Sequence, residues 1–479
     1  MRRFFNTHSS TILLAWLTIS ASTVGAQSDR QEAQTGLQNF TERAIKDICP
    51  GLAGNNDPVV QDLFEQCRAM VNTARGKDDE PFNPEFALDI TDGELRGAWQ
   101  NLAGEEFATQ GTMGTKISAG QFENITQRLV MLRSGASGFD VAGLGLSTDG
   151  QLVSAEMLLR KAGEGERGGA ASADDPGAER WGIFLNGVIG FGDRNQTERE
   201  DGFDLDTRGV TLGADYRVGS KLVIGGALGF GSMDADLHLS TDPADSAALL
   251  VDGGNVEASG TSGTLYLASF GENFYFDIAG SYGQDSYDLR REINYATGPD
   301  SRELRTALAD PDGSHYGVTI GGGYDKSKGS WSYGPYLRVS SQNIDIDAYV
   351  ESGSVGSLSL EVDPQEYESL LSILGLDISN ASSKNWGVLI PQVRAEWNHE
   401  FKNDSQFIHT RYFFDPNKIQ DDHELLVLTD EPDRDFFLVS LSLAAVFRGG
   451  NQAFINYDTM LDYRDISYHV FTAGVRFSF

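Results

Sequence analysis

The strongest constraint on this chain is the rhythm of its connections. From Trp181 onward, segments that alternate apolar and polar residues recur, separated by turn-forming residues. They fall near 181–192, 207–218, 221–235, 260–270, 273–289, 314–326, 330–347, 366–380, 385–402, 435–448, 451–462 and 467–479. A β-strand sends successive side chains to opposite faces, so each segment reads as a strand with one apolar and one polar face. The connections alternate as well. Gly219-Ser-Lys221, Gly271-Glu-Asn273, Ser327-Lys-Gly-Ser330, Ser382-Ser-Lys-Asn385 and Arg448-Gly-Gly-Asn451 are short. Those around 193–206, 236–259, 290–313, 348–365 and 403–434 are long and mostly acidic, and one near 463–466 is brief.

Short turns at one rim and long loops at the other describe a closed barrel crossing a membrane. The reading is an all-β membrane barrel of twelve antiparallel strands, preceded by a small α-helical domain and a flexible linker. Facing agrees. Leu389, Val393, Ala395 and Trp397 share one side, and Gln392, Arg394, Glu396, Asn398 and Glu400 the other. In a barrel the second set lines a wet lumen. In the last strand Phe471, Ala473, Val475, Phe477 and Phe479 share a face opposite Arg476, which places Arg476 in the lumen. That strand is expected to close on the first one near Trp181. Aromatic residues gather near strand ends, as interfacial girdles require: Trp181, Phe191, Phe274, Trp331, Tyr333, Trp386, Phe436, Phe437, Phe477 and Phe479. A mean hydropathy of −0.31 is no objection, because a barrel strand is apolar only at every second position.

Upstream, Met1-Arg-Arg, a short apolar core from Ile12 to Ile19, and Val24-Gly25-Ala26 form a secretory signal peptide over 1–26, with cleavage between Ala26 and Gln27. Residues 27–132 read as a small helical domain. Leu37, Phe40, Ala44, Ile45 and Ile48 give one helix, and Val59, Leu63, Phe64 and Met70 a second, with Pro58 early in it after an Asp cap. Cys49 and Cys67 are the only cysteines and are expected to bridge this pair in an oxidising compartment. A third helix is expected from Asp92 through Phe107, a break at Gly111–Gly114, and a fourth amphipathic helix through Phe122, Ile125 and Leu129 with its Gln and Glu residues solvated. Residues 133–180 read as a linker that threads the pore or stays unstructured.

The formal net charge of −33 excludes nucleic acid as a partner, since binding it needs a basic footprint. No catalytic motif emerges. Gly-x-Ser-x-Gly and Gly-Asp-Ser-Leu are absent, and none of the seven histidines lies in residues 27–132. His409 and His423 share a loop and read as solvated rather than metal-ligating. Asp204-Leu-Asp206 and Asp421-Asp422 do not make a full calcium loop. Gly225-Gly-Ala-Leu-Gly-Phe-Gly231 reads as barrel glycine that allows close packing. No cofactor, metal or enzyme activity is expected.

Trp181-Gly-Ile-Phe-Leu-Asn-Gly187, Gly209-Val-Thr-Leu-Gly-Ala-Asp-Tyr-Arg217, Tyr333-Gly-Pro-Tyr336, Asp345-Ile-Asp-Ala-Tyr349, Trp386-Gly-Val-Leu-Ile-Pro391, Glu396-Trp397 and Asp433-Arg-Asp-Phe436 carry a resemblance. Over 181–479 the chain resembles the β-domain of monomeric (type V) bacterial autotransporters. The resemblance implies an outer-membrane barrel that translocates or anchors its short N-terminal domain. It implies as partners the export translocase, the barrel-assembly machinery, outer-membrane lipid and lipopolysaccharide. It also implies that Phe479, with Phe471, Val475 and Phe477, is the assembly signal, and that a segment fills the pore, for which 154–162 and 121–133 are the candidates. The chain departs from the family in its short helical passenger. It also has no Asn-Asn pair at the barrel entrance, so self-cleavage is not implied. The alternative is an outer-membrane pore or adhesin-like barrel with functional acidic loops and a periplasmic N-terminal domain; a third is an enzyme without a recognisable motif.

Overall fold

The computed structural model describes residues 36–133, 138–141, 147–148, 151–152, 181–219, 221–238, 253–420, 423–447 and 452–476. Twelve strands of its main sheet form the barrel: β1 (Trp181–Arg194), β2 (Phe203–Val218), β3 (Leu222–Leu237), β4 (Gly254–Phe270), β5 (Phe274–Gly298), β6 (Asp312–Tyr324), β7 (Trp331–Ile346), β8 (Gln365–Asn380), β9 (Gly387–Glu400), β10 (Asp435–Phe447), β11 (Gln452–Leu461) and β12 (Ile466–Arg476). Each pairs antiparallel with its neighbour, and β12 pairs with β1, so the sheet closes. Closure joins the two end strands to each other, which is what a sheet in lipid requires.

The closing seam differs from expectation in place. Ile466 to Phe471 pair with Arg194 to Ile189, at the long-loop end of β1. At the Trp181 end, Gly182 to Leu185 pair in parallel with Gly138 to Val141.

The outward face carries a continuous apolar belt. Leu265 is 76% exposed and Leu228 71%, and Ile189, Leu212, Tyr316, Leu337, Leu374, Leu441 and Ile455 are exposed around the same girth. A surface of this kind around a whole barrel has no counterpart in water-facing sheets. Phe274, Trp331 and Trp386 stand exposed at the short-turn rim, and Tyr282, Trp397 and Phe437 toward the other. Along β5 the outward residues turn polar at Gln284, about ten residues from Phe274. At the usual tilt of such strands that is about 25 Å of height, one hydrocarbon layer.

The inner face is packed by large residues laid over neighbouring glycines. A Cβ at Gly213 would sit 2.2 Å from the Phe184 ring, one at Gly225 2.2 Å from Tyr266, and one at Gly375 2.1 Å from Tyr336. Gly225 belongs to the glycine run of β3, so close packing is the use made of that run.

Past the membrane belt the strands continue. β5 is 25 residues long, and its outer half pairs with Ser301–Ala309. A small sheet of Tyr349–Val350, Leu360–Val362, Phe407–Tyr412 and Leu425–Leu428 stands at the same rim.

Four helices precede the barrel: α1 (Gly36–Leu52), α2 (Pro58–Lys77), α3 (Asp92–Ala103) and α4 (Phe107–Arg133). Asp57 caps α2 by accepting from the Val59 amide at 2.8 Å, with Pro58 at the first helical position. Thr91 and Glu94 form a reciprocal capping box on α3. Cys49 and Cys67 are bonded, joining α1 to α2 with Cα atoms 5.7 Å apart.

Two helix expectations are corrected. α3 stops at Ala103 rather than running through Phe107, because Gly104 takes a left-handed conformation with φ +77°. α4 runs unbroken through Gly111 and Gly114. Glycine weakens a solvated helix, but these two lie against the barrel wall. A Cβ at Gly111 would sit 2.3 Å from the Tyr367 ring, and one at Gly114 2.6 Å from the Tyr287 hydroxyl. Close approach, not a break, is their role.

Candidate functional site: a helix in the lumen and a cap on the mouth

α4 lies inside the barrel against β2 to β8. Phe122, Ile125 and Leu129 form one apolar cluster with Phe184, Ala227, Tyr266, Tyr275 and Tyr336 of the wall. The polar residues of the helix meet the wall as well. Gln121 donates to the Thr264 hydroxyl at 3.1 Å and accepts from Thr211 at 2.9 Å. Asn124 donates to Thr211 at 2.9 Å, while Asn186 donates to the Asn124 carbonyl at 3.0 Å. Arg338 donates to the Thr126 hydroxyl at 2.8 Å. Arg128, fully buried, pairs with Asp215 at 2.6 Å over the Phe184 ring.

Reading Gln121 and its neighbours as a solvated face was therefore wrong. Gln121, Asn124, Thr126 and Arg128 are enclosed, and each finds a fixed barrel partner because an unpaired polar group there would cost about 1–3 kcal/mol. A signal was available in the composition. A water-facing helix of 27 residues would carry more charge than Lys116, Glu123, Arg128 and Arg133.

Of the residues assigned to the lumen, Arg394, Glu396 and Asn398 lie buried on the inner face of β9, with Gln392 half-buried beside them. Arg394 reaches Glu123 of α4 at 3.4 Å, Glu396 at 3.7 Å and Asp458 at 3.9 Å. Gln392 donates to Asp377. Asn398 faces a cavity of about 430 Å³ left beside α4, also bordered by Lys116, Glu123, Glu400, Asp458 and Tyr468. The side chain of Arg476 lies outside the described residues, as do the side chain of Val475, residues Phe477 and Phe479, the pair Ala26 and Gln27, Asp421-Asp422 and the segment 154–162. Phe471 is exposed on the outward face, stacked on Phe191 at 6.0 Å.

The long-loop rim is capped by α1–α3. Asp62 of α2 accepts from Arg305 at 2.9 Å and from Ser357 at 2.6 Å. Burial would raise the Asp62 carboxyl, but these donors outweigh it and hold it below its ordinary range. Tyr295 donates to Gln66 at 2.8 Å, and Phe40 meets Phe407 edge-on. Under the cap lies an ion pair buried within the barrel rim, which reaches α3 through the Arg291 guanidinium. Arg291 of β5 donates to both oxygens of Glu351 at 2.8 and 2.6 Å, and to the Asn101 carbonyl at 3.2 Å. Burial works against the Arg291 charge, yet Glu351 holds the guanidinium above its ordinary range.

His409 bonds Glu424 and His423 bonds Asp415, so the two loop histidines address different carboxylates. Among the described residues no group of His, Cys, Asp and Glu has metal-holding geometry. The inner face of β6 carries one further imidazole, His315, paired with Asp285 at 2.7 Å.

Comparison with known proteins places this architecture. Residues 183–458 match the family model described as the autotransporter beta-domain. The chain is 24% identical over 255 residues to Outer membrane protein A of Rickettsia conorii, covering 53% of this chain and 12% of that protein. It is 23% identical over 255 residues to the protein of the same name from Rickettsia rickettsii, covering 53% of this chain and 11% of that one. The chain thus spans about an eighth of the length of these curated relatives. Among solved structures, the translocator domain of autotransporter NalP from Neisseria meningitidis shares 15% identity at a TM-score of 0.45, covering 62% of this chain and 87% of that one. The beta domain of the Bordetella autotransporter BrkA shares 19% at a TM-score of 0.42, covering 63% and 100%. With the family model spanning more than half of it, the chain belongs to the autotransporter β-domain family, the outer-membrane barrels that carry a passenger across that membrane.

Proposed function

We propose that this barrel delivers its own short N-terminal helices to the cell surface and keeps them there. The observation that carries the reading is α4. Its Phe107 end lies by Tyr349 at the long-loop rim, and its lower part, at Arg128, pairs with Asp215 near the short turns. In an outer-membrane barrel the short turns face the periplasm, so a chain threaded this way has α1–α3 outside. The contacts of α1–α3 with Arg291, Arg305 and Tyr295 support retention rather than release. The reading assigns the chain no catalytic step.

The partners follow from the route. The export translocase would act on residues 1–26, and the assembly machinery would recognise Phe471, Val475, Phe477 and Phe479 as the chain enters a membrane of lipid and lipopolysaccharide. Protease added to intact cells tests the topology. The exposed α2–α3 connection, residues 78–91, should be cut without permeabilising the cells. Protection of it would favour the barrel with periplasmic helices and functional outer loops.

A further inference from the structure

The elbow between α3 and α4 buries more carboxyl groups than it has cations. Glu105 and Glu106 follow Gly104 and are 2% and 6% exposed. Asp201, 7% exposed, arrives from the loop between β1 and β2 and hydrogen-bonds Glu105. Gln100 of α3 also donates to Glu105. The charged groups that face Glu105 are Asp201 and Glu106, both acidic. Those that face Glu106 are Arg291 of β5 and Glu351 of the loop after β7. Arg291 is already engaged with both oxygens of Glu351, and Oε2 of Glu106 has no hydrogen-bond partner. Two carboxyl groups in contact away from water cannot both be ionised, so Glu105 and Asp201 share a proton. That proton joins the hinge of the cap to a loop of the barrel.

We propose that the elbow is a proton-operated latch: α1–α3 sit closed on the barrel mouth while Glu105 and Asp201 share a proton, and swing away when it leaves, with α4 still held in the lumen. This rests on the reading that the helices are retained at the mouth. The closed form holds protons that the open form gives up, so closure is favoured at low pH and weakens as pH rises through the closed-state values. Burial, opposed by Arg291 and assisted by Glu351, also pushes Glu106 up to about 7. From pH 5 to 7.5 that group alone lowers the closed-to-open ratio roughly fiftyfold.

The test uses the full chain folded in detergent micelles, with spin labels at Glu65→Cys on α2 and Glu366→Cys on the outward face of β8, both exposed. Pulsed electron paramagnetic resonance then reads their separation. One narrow distance is expected at pH 5, and a second, longer one at pH 8, with the closed-to-open ratio falling at least tenfold. Glu105→Gln with Glu106→Gln should keep the narrow distance at every pH. Asp201→Asn, a change on the barrel side, should keep the cap closed to higher pH. A closed wild type at all pH values, or a double variant that opens as the wild type does, overturns the latch. The absence of any closed population, even at pH 5, overturns the retained cap itself and the latch with it.

Discussion

Removing one partner of the Arg291–Glu351 pair should loosen the cap more than any other single change at the mouth. Both side chains are 2% exposed and their pairing is bidentate. Glu351 also accepts from the Leu360 amide at 2.9 Å. Glu351→Ala leaves a buried guanidinium with the Asn101 carbonyl and the facing Glu106 carboxyl as its remaining partners, and breaking a buried pair from one side costs up to about 3–5 kcal/mol. Replacing both ends, Arg291→Met with Glu351→Leu, removes the stranded charge and should recover most of the loss. The assay is hydrogen exchange of α3 amides in the folded protein, which reports the free energy of local opening. A loss of that size speeds exchange by up to roughly 10²- to 4 × 10³-fold, capped at the rate of full opening. Exchange within threefold of the wild type in Glu351→Ala, or a double variant as fast as the single one, would refute the reasoning.

Further outcomes follow from other contacts. Gly111→Val drives a side chain into the Tyr367 ring, so α4 should shift in the lumen and single-channel conductance should rise; unchanged conductance would argue against that packing. Arg128→Ala strands Asp215 and should raise conductance as well, with Arg128→Lys giving a smaller rise, since a lysine keeps the charge but not the planar fork. Replacing Cys49 and Cys67 by Ser opens a link of sequence separation 18 and should cost α1–α2 about 3 kcal/mol, read by exchange in α1. The Asp62–Arg305 tie works in the opposite pH sense to the elbow. A carboxyl held below its ordinary value adds stability above that value and loses it on acidification, so Asp62→Asn should flatten the acid limb of cap stability below about pH 4.

The barrel was legible because lipid and lumen impose opposite chemistry on alternate residues. All twelve strands fall where the alternation put them, and the inner set on β9 was visible in Gln392, Arg394, Glu396 and Asn398. Legibility failed where both faces are covered. The expected end of β5 near residue 289 fell short of Gly298 because Ile293 to Ala296 are all buried, packed by the cap as well as by Ser301–Ala309, so alternation vanishes. It failed again on α4. Gly111 and Gly114 look like a break and Gln121 like a wet surface until the wall around them is known. The bonded cysteines were legible from number and compartment alone. The pairing of Glu105 with Asp201 spans 96 positions of sequence and left no local trace.

If α4 threads the barrel with α1–α3 on the outside, α2 is open to reagents that cannot cross the outer membrane. Labelling at Glu65→Cys by a membrane-impermeant maleimide on intact cells tests it most directly, with Lys328→Cys at the opposite rim as the internal control. Position 65 should be labelled on intact cells and position 328 only after the outer membrane is opened. Labelling of position 65 only after opening would contradict it.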